Sequence, residues 1–348
     1  MGRSGRALAT YAGILEGLHN PALLLGPMTT QEAVLSSRIE GTQATLREVL
    51  KYEAGEVPVQ SSKTEDIQEI LNYRKAMRAA EAELPKRPFS LNMLKGLHQV
   101  LLAGVRGASK TPGKFRVTQN WIGPEGSTIE TASFVPPAPE GLLDHLETFE
   151  AYYRSEQPDP LVQLAVVHAQ FEILHPFADG NGRLGRILVP LFLFEKKLLT
   201  RPTFYLSAWL EKRRDEYYAR LRAIGRERGA WNAWCAFFLT AVEGQAIQNS
   251  KTARAIVELY GRLKERVIEL TRSQFAGPLL DQAFKQPLFQ SLHLRFGPRA
   301  PSKQAISNLL RALLKDEILK VVVAGAGRRP GIYALAELVN LCEGKRVI

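Results

Sequence analysis

A chain of 348 residues, 45% apolar and 23% charged, can hold two or three domains around real cores, which excludes collagen-like, coiled-coil and wholly disordered chains. No apolar run nears the ~20 residues of a membrane span, and the opening MGRSGRALATYAGIL lacks the apolar stretch of a signal peptide, so a cytoplasmic protein with no membrane partner is expected. The net charge of +11 points toward polyanionic partners, while the two cysteines, Cys235 and Cys342, fit neither a disulfide framework nor a zinc spacing.

Most of the sequence repeats at helical period. Thr29 followed by Glu32 resembles a capping box opening TQEAVLSSRIEG. A second helix is predicted from Thr64 to Glu83, with Ile67, Ile70, Leu71, Met77 and Ala80 on its apolar face and Pro85 stopping it. Ser90 reads as the N-cap of LNMLKGLHQVLLAG, where Leu91, Leu94, Leu97, His98 and Leu101 share one side. Between Gly113 and Pro137, β-branched and aromatic residues flank a Gly-Pro-Glu-Gly turn, the signal of a β-hairpin. Helices follow at Leu142 to Arg154, in PLVQLAVVHAQFEIL from Pro160, and at Arg183 to Lys197, Ser207 to Ala223 and Trp231 to Arg272. The segment from Gln286 onward reads helix, turn, helix, hairpin, its second helix starting at Ser302 and its two strands lying between Leu319 and Tyr333. Nine Lys or Arg against two acids between Gln282 and Ala334 give this stretch +7, a charge asymmetry expected of a separate module.

One segment has the composition of a reaction site. In HPFADGNGRLGR, His175 to Arg186, the residues Gly180, Asn181 and Gly182 can take the backbone conformations that turn successive N–H groups toward one point. Arg183 and Arg186 follow on the first turn of a helix, whose N-terminus also favours an anion, and their i, i+3 spacing lets both guanidiniums face one way. Such a cradle suits a polyphosphate. Asp179 at its mouth could hold Mg²⁺ together with phosphate oxygens, and His175 is placed to act as a general base. Phe177 is expected to pack beneath the loop and fix its shape.

These residues match the Fic signature His-x-Phe-x-[Asp/Glu]-Gly-Asn-Gly-Arg-x-x-Arg at every specified position, and the chain resembles the Fic family from about Thr29 to Ala246. The segment GKFR…WIG…FVPP is similar to the family's β-hairpin flap, and LSAWLEKRRDEYYARL continues the likeness. The resemblance implies transfer of AMP from ATP to a Ser, Thr or Tyr hydroxyl of a target protein docked through the 113–137 flap, with His175 as base and Asp179 holding Mg²⁺. It places ATP against His175, Pro176, Phe177, Asp179, the anion hole Gly180, Asn181 and Gly182, and Arg183 and Arg186 on the β- and γ-phosphates. Family members that phosphorylate carry Lys at the second loop glycine; Gly182 favours nucleotidyl transfer. Tyr217 and Tyr218 resemble tyrosines that wall the purine pocket, and equally fit ordinary helix packing.

Ser36-Ser37-Arg38-Ile39-Glu40-Gly41 resembles the inhibitory motif of autoinhibited Fic proteins. Ser36 and Glu40 share a helical face and Gly41 permits close approach, so Glu40 is expected to pair with Arg186 where the γ-phosphate would sit. The overall expectation is a mainly α protein: an N-terminal helical region (1–95) with the inhibitory motif, a Fic-type helical core with a β-hairpin flap (96–250), a connecting helix (251–275) and a C-terminal winged helix (276–348). Lys303, Asn308, Arg311, Arg328 and Arg329 would give that module a surface for DNA. Self-modification and a homodimer are open partner expectations. Two other functions remain open: a de-adenylylating hydrolase using Glu40, and a DNA-binding regulator whose Fic core senses nucleotide.

Overall fold

The helical periodicity is realised almost throughout. The structure, a computed structural model, describes residues 2–18, 20–124, 126–297, 300–325 and 330–348. Its helices are α1 (Gly2–Glu16), α2 (Pro21–Ile39), α3 (Leu46–Glu53), α4 (Ser61–Glu83), α5 (Leu91–Leu101), α6 (Leu142–Arg154), α7 (Pro160–Leu174), α8 (Asn181–Glu195), α9 (Ser207–Glu211), α10 (Arg214–Ala223), α11 (Ala230–Thr271), α12 (Ala276–Lys285), α13 (Lys303–Lys315) and α14 (Ala336–Glu343). Strands β1 (Leu288–Gln290), β2 (Lys320–Val323) and β3 (Ile332–Ala334) form one antiparallel sheet in the order β1-β3-β2. No described helix is long and apolar enough to cross a membrane.

The chain divides into two compact units, one of Met1–Glu16, Leu35–Thr42 and Gln68–Asn249, the other of Gly17–Val34, Gln43–Ile67 and Ser250–Ile348. In the first, α7 is apolar on every side, and a helix of that pattern has to be buried all round. It packs between α6 and α8, with Leu164, Ala165, Val167, Ala169 and Phe171 fully buried. Asp159 caps its start through bonds from the N–H groups of Leu161 and Val162, and Pro160 fills the first turn, where no N–H is needed. Trp234 of α11 lies fully buried against α7 and donates its indole N–H to the Ala165 carbonyl at 2.8 Å.

In the second unit, Leu288, Gln290 and Phe289 pair with Ala334, Ile332 and Tyr333, and β2 pairs with the other edge of β3 across an irregularity between Val321 and Val323. Ser302 caps α13, accepting from the Ala305 N–H, and Leu309, Leu310 and Leu313 turn inward. Lys303, Asn308 and Arg311 are exposed, whereas Arg299, Arg328 and Arg329 lie outside the described residues.

Four expectations change. Thr29 and Glu32 do not start a helix: α2 already begins at Pro21, the Thr29 hydroxyl donates to the Leu25 carbonyl, and Glu32 is buried. The complete capping box of this region belongs to Thr45 and Glu48 at the head of α3. The helix expected just after Gln286 is instead β1 and a 3₁₀ turn, Ser291–His293, because all three strand residues are buried and pair with β3. Ser207 to Ala223 is two helices, broken where Arg213 leaves helical geometry and stacks on Trp209 at 4.2 Å. Among its described residues the flap has no two-stranded ladder. Its strands meet at a single bridge, Ile122 with Phe134, whose N–H groups each donate to the other's carbonyl at 2.8 and 3.0 Å. Side chains satisfy much of the remaining backbone: Trp121 donates to the Ser127 carbonyl, Gln119 to Pro136 and Arg116 to Pro137.

Candidate functional site

The turn between α7 and α8 builds the site. His175 closes α7 in the left-handed region, φ 45° and ψ 58°, a conformation costly for a residue with a Cβ unless its surroundings hold it. Arg116, at the root of the flap, does the holding. Its N–H donates to the Pro176 carbonyl at 2.9 Å, its Nε to His175 at 3.0 Å and its Nη2 to Leu174 at 3.4 Å, so one residue takes three successive carbonyls.

Beyond His175 the loop is latched by Asn181, whose Oδ1 accepts from the Phe177 N–H at 2.9 Å and whose Nδ2 donates to the Phe177 carbonyl at 2.8 Å. Phe177 is fully buried beneath the loop, as expected, and stacks on His98 with centroids 3.8 Å apart. His98 accepts from the Gly113 N–H at Nδ1, which leaves Nε2 to donate to the Asp179 carbonyl at 2.9 Å. Gly180, at φ 77°, turns the chain into α8, and the first-turn N–H groups of that helix have no acceptor within it. Asp179 keeps its side chain 43% exposed, with Oδ1 accepting from the Gly180 N–H and lying 3.9 Å from Arg183 Nη2.

The two arginines of α8 are both buried and differently engaged. Arg186 donates from Nε to the Ser36 hydroxyl at 2.8 Å, and from Nη2 to the Ser36 carbonyl at 3.0 Å and to Glu40 Oε1 at 2.6 Å. Glu40 sits just past the end of α2, and Gly41, at φ 102°, lets the chain turn away. The Glu40 carboxylate occupies the side-chain space of residue 182, where any Cβ would overlap Oε1. Arg183 instead pairs with buried Glu69 of α4 at 3.1 Å, and Glu69 also accepts from Arg106 at 2.8 Å and from the Thr42 hydroxyl at 3.0 Å. Glu69→Ala would strip a buried guanidinium of its counter-charge, and a loss of about 3–5 kcal/mol in chemical denaturation is expected.

Models of two families match the chain: Fic/DOC family N-terminal over residues 1–82, and Fic/DOC family over residues 88–193. The chain belongs to the Fic/DOC family. It is 29% identical over 188 residues to protein adenylyltransferase Fic of Drosophila grimshawi, covering 53% of this chain and 35% of that protein. It is 33% identical over 137 residues to a probable protein adenylyltransferase of Aquifex aeolicus, covering 38% of this chain and 37% of that one. The chain thus spans about a third of the length of these relatives. Its fold resembles the crystal structure of a Fic family protein from Desulfovibrio desulfuricans G20, with a TM-score of 0.58 and 21% identity over 96% of each chain.

In this Fic chain burial and the Glu40–Arg186 pair set the protonation states. Burial raises the Glu40 carboxyl, but the Arg186 guanidinium outweighs it and the net displacement is downward, so Glu40 is ionised at neutral pH. Burial pushes the His175 imidazole down to about 4, which keeps it neutral; its Nδ1 is buried with no hydrogen bond. Tyr217 is wholly buried and engaged with His168 Nε2 at 2.9 Å, so it belongs to the core behind the site. Tyr218 reaches a narrow cavity of about 50 Å³ shared with Ile122, Phe134, Glu172 and Leu221, the first two being the bridge residues of the flap.

Sequence reasoning missed Arg116, His98, Glu69 and Glu172. Arg116 lies within the GKFR stretch and Glu172 is an acid in an otherwise apolar helix, the one available signal for each; Glu69, among Glu65, Asp66, Gln68 and Asn72, gives no such signal.

Proposed function

We propose that the protein is an adenylyltransferase that moves AMP from ATP to a Ser, Thr or Tyr hydroxyl of a target protein and is held back by Glu40. One observation carries this reading: a neutral histidine heads an anion-ready turn whose innermost arginine is already bound to a carboxylate. A group that recognises a carboxylate by charge-assisted hydrogen bonds recognises a phosphate by the same means.

In the proposed reaction His175 takes the proton of the acceptor hydroxyl, its oxygen bonds to the α-phosphorus, and the bond from that phosphorus to the bridging oxygen breaks, releasing pyrophosphate. Arg186, once free of Glu40, would hold the outer phosphates, and the N–H groups at the start of α8 would take the inner ones. Asp179 fits a divalent cation: it is a half-exposed carboxylate at the mouth of the turn, and one carboxylate with phosphate oxygens is a common Mg²⁺ set. Bound there, Mg²⁺ would offset phosphate charge. The flap suits a docked target segment, since Val117, Trp121, Ile122, Ile129 and Val135 are exposed and its described backbone forms one bridge of its own.

Incubation with Mg²⁺ and ATP labelled at the α-phosphate, followed by intact mass, is expected to place AMP on the protein itself or on an added target. Release of AMP from a modified protein, dependent on Glu40, would favour the hydrolase instead.

For the C-terminal unit we infer a winged helix that contacts DNA, supported by the order of α12, β1, α13, β2 and β3 and by the exposed Lys303, Asn308 and Arg311. Duplex DNA affinity is expected to fall steeply from 50 to 200 mM salt, with Lys303→Ala and Arg311→Ala together reducing the slope by roughly 2. No retention on DNA at low salt would refute it.

A further inference from the structure

Glu172 has no part in the chemistry described so far, yet it stands in the centre of the site. It lies on α7 one turn before His175, with its side chain nine-tenths buried and its Oε1 buried without a hydrogen bond. A free carboxyl oxygen in that position is costly and calls for a reason.

The first turn of α8 supplies it. Residues 182 and 185 are three apart and so lie on one helical face. Both are glycine, and each gives up its side-chain space to a carboxyl: a Cβ on Gly182 would overlap Glu40 Oε1, and a Cβ on Gly185 would overlap Glu172 Oε1. Two carboxyls therefore sit along the face of α8 next to Arg186, but Glu40 takes the direct 2.6 Å bond while Glu172 Oε1 remains unbonded.

We propose, on the nucleotide reading above, that Glu172 is a positioning residue for Arg186: its carboxyl sets how strongly the guanidinium holds an anion, whether Glu40 or an incoming phosphate. Ionised, Glu172 repels either anion through space; neutral, it does not.

The surroundings make that carboxyl switch near physiological pH. Burial raises it to about 7; Arg186 from α8 and the Tyr217 hydroxyl from α10 pull it down, while Glu40 pushes it up. Tyr218 of α10 lines the same cavity, and His168, one turn back on α7 with Nε2 4.0 Å from Oε1, stays neutral because burial lowers it to about 3. No other described group facing Glu172 changes charge between pH 6 and 8.

The test uses the full chain carrying Glu40→Gly, so that ATP is the sole anion competing for Arg186, and titrates ATP with Mg²⁺ calorimetrically at pH 6, 7 and 8. From pH 6 to 8 the affinity should fall at least roughly fivefold more than in the same chain with Glu172→Gln, a lower bound for two unit charges within about 15 Å at an effective dielectric of about 20. Ionisation of ATP itself is common to both proteins and cancels. Gly185→Ala keeps the glutamate but pushes its carboxyl out of its seat, and should flatten the profile as Gln does. Parallel profiles with Glu172 and with Gln would overturn the inference while leaving the nucleotide site intact. Absence of ATP binding in every variant would overturn both.

Discussion

Glu40→Gly is expected to raise AMP transfer about tenfold to a hundredfold, read as label incorporated from ATP into the protein or a target. Arg186 is fully buried, and its polar contacts are Ser36 and Glu40. The Glu40 carboxylate occupies the side-chain space of Gly182, at the point where the first turn of α8 would meet phosphate. A nucleotide can bind there with its outer phosphates displaced, but the inner phosphorus is then poorly aligned with the attacking oxygen. Each tenfold in rate is ~1.4 kcal/mol of barrier, and release of one charge-assisted pair supplies one or two such factors. The Ser36 contacts remain in Glu40→Gly, so the guanidinium keeps its position when its carboxylate is removed. Unchanged or reduced transfer would refute the brake and leave Glu40 a structural or hydrolytic residue.

His175→Ala should reduce transfer by ~10²–10⁴-fold while ATP still binds with similar affinity, since the phosphate-facing groups of α8 do not depend on the imidazole. Transfer at the normal rate would remove His175 from the chemistry. The wild-type protein offers a second readout. Burial lowers the imidazole, so the neutral base is the form present above its pKa of about 4, and the acid limb of kcat/KM should fall near pH 4 instead of near 6.5.

The helical core and the reaction turn were legible because both leave strong local signals. Apolar periodicity placed α4, α5, α6 and α7 to within a few residues, and the loop from His175 to Arg186 has residue types that few other roles require. The pairing of Glu40 with Arg186 was legible from the resemblance of residues 36–41 to an inhibitory motif, whereas the Ser36 bonds to the same arginine were not. What stayed hidden depends on contacts distant in sequence. Strand β1 is three residues long and is a strand only because β3 lies beside it. The flap resembles a hairpin by composition, but Arg116, Gln119 and Trp121 bond its backbone in place of a ladder, and side-chain bonds of that kind follow no period. The engagement of Arg183 with Glu69 spans 114 positions, and the i, i+3 spacing with Arg186 gives no hint that the two guanidiniums take different partners.

Arg116 divides the flap into a fixed part and a free one. Its bonds to Leu174, His175, Pro176 and Pro137 tie the base of the flap to the backbone that orients the imidazole, while the described residues from Ile122 to Phe134 are tied by one bridge and the Trp121 bond to Ser127. On the proposed reading, the outer stretch could therefore be exchanged, and with it the target segments it would dock, without disturbing the backbone that orients His175. Target choice and chemistry would then be separable, with one arginine marking the seam.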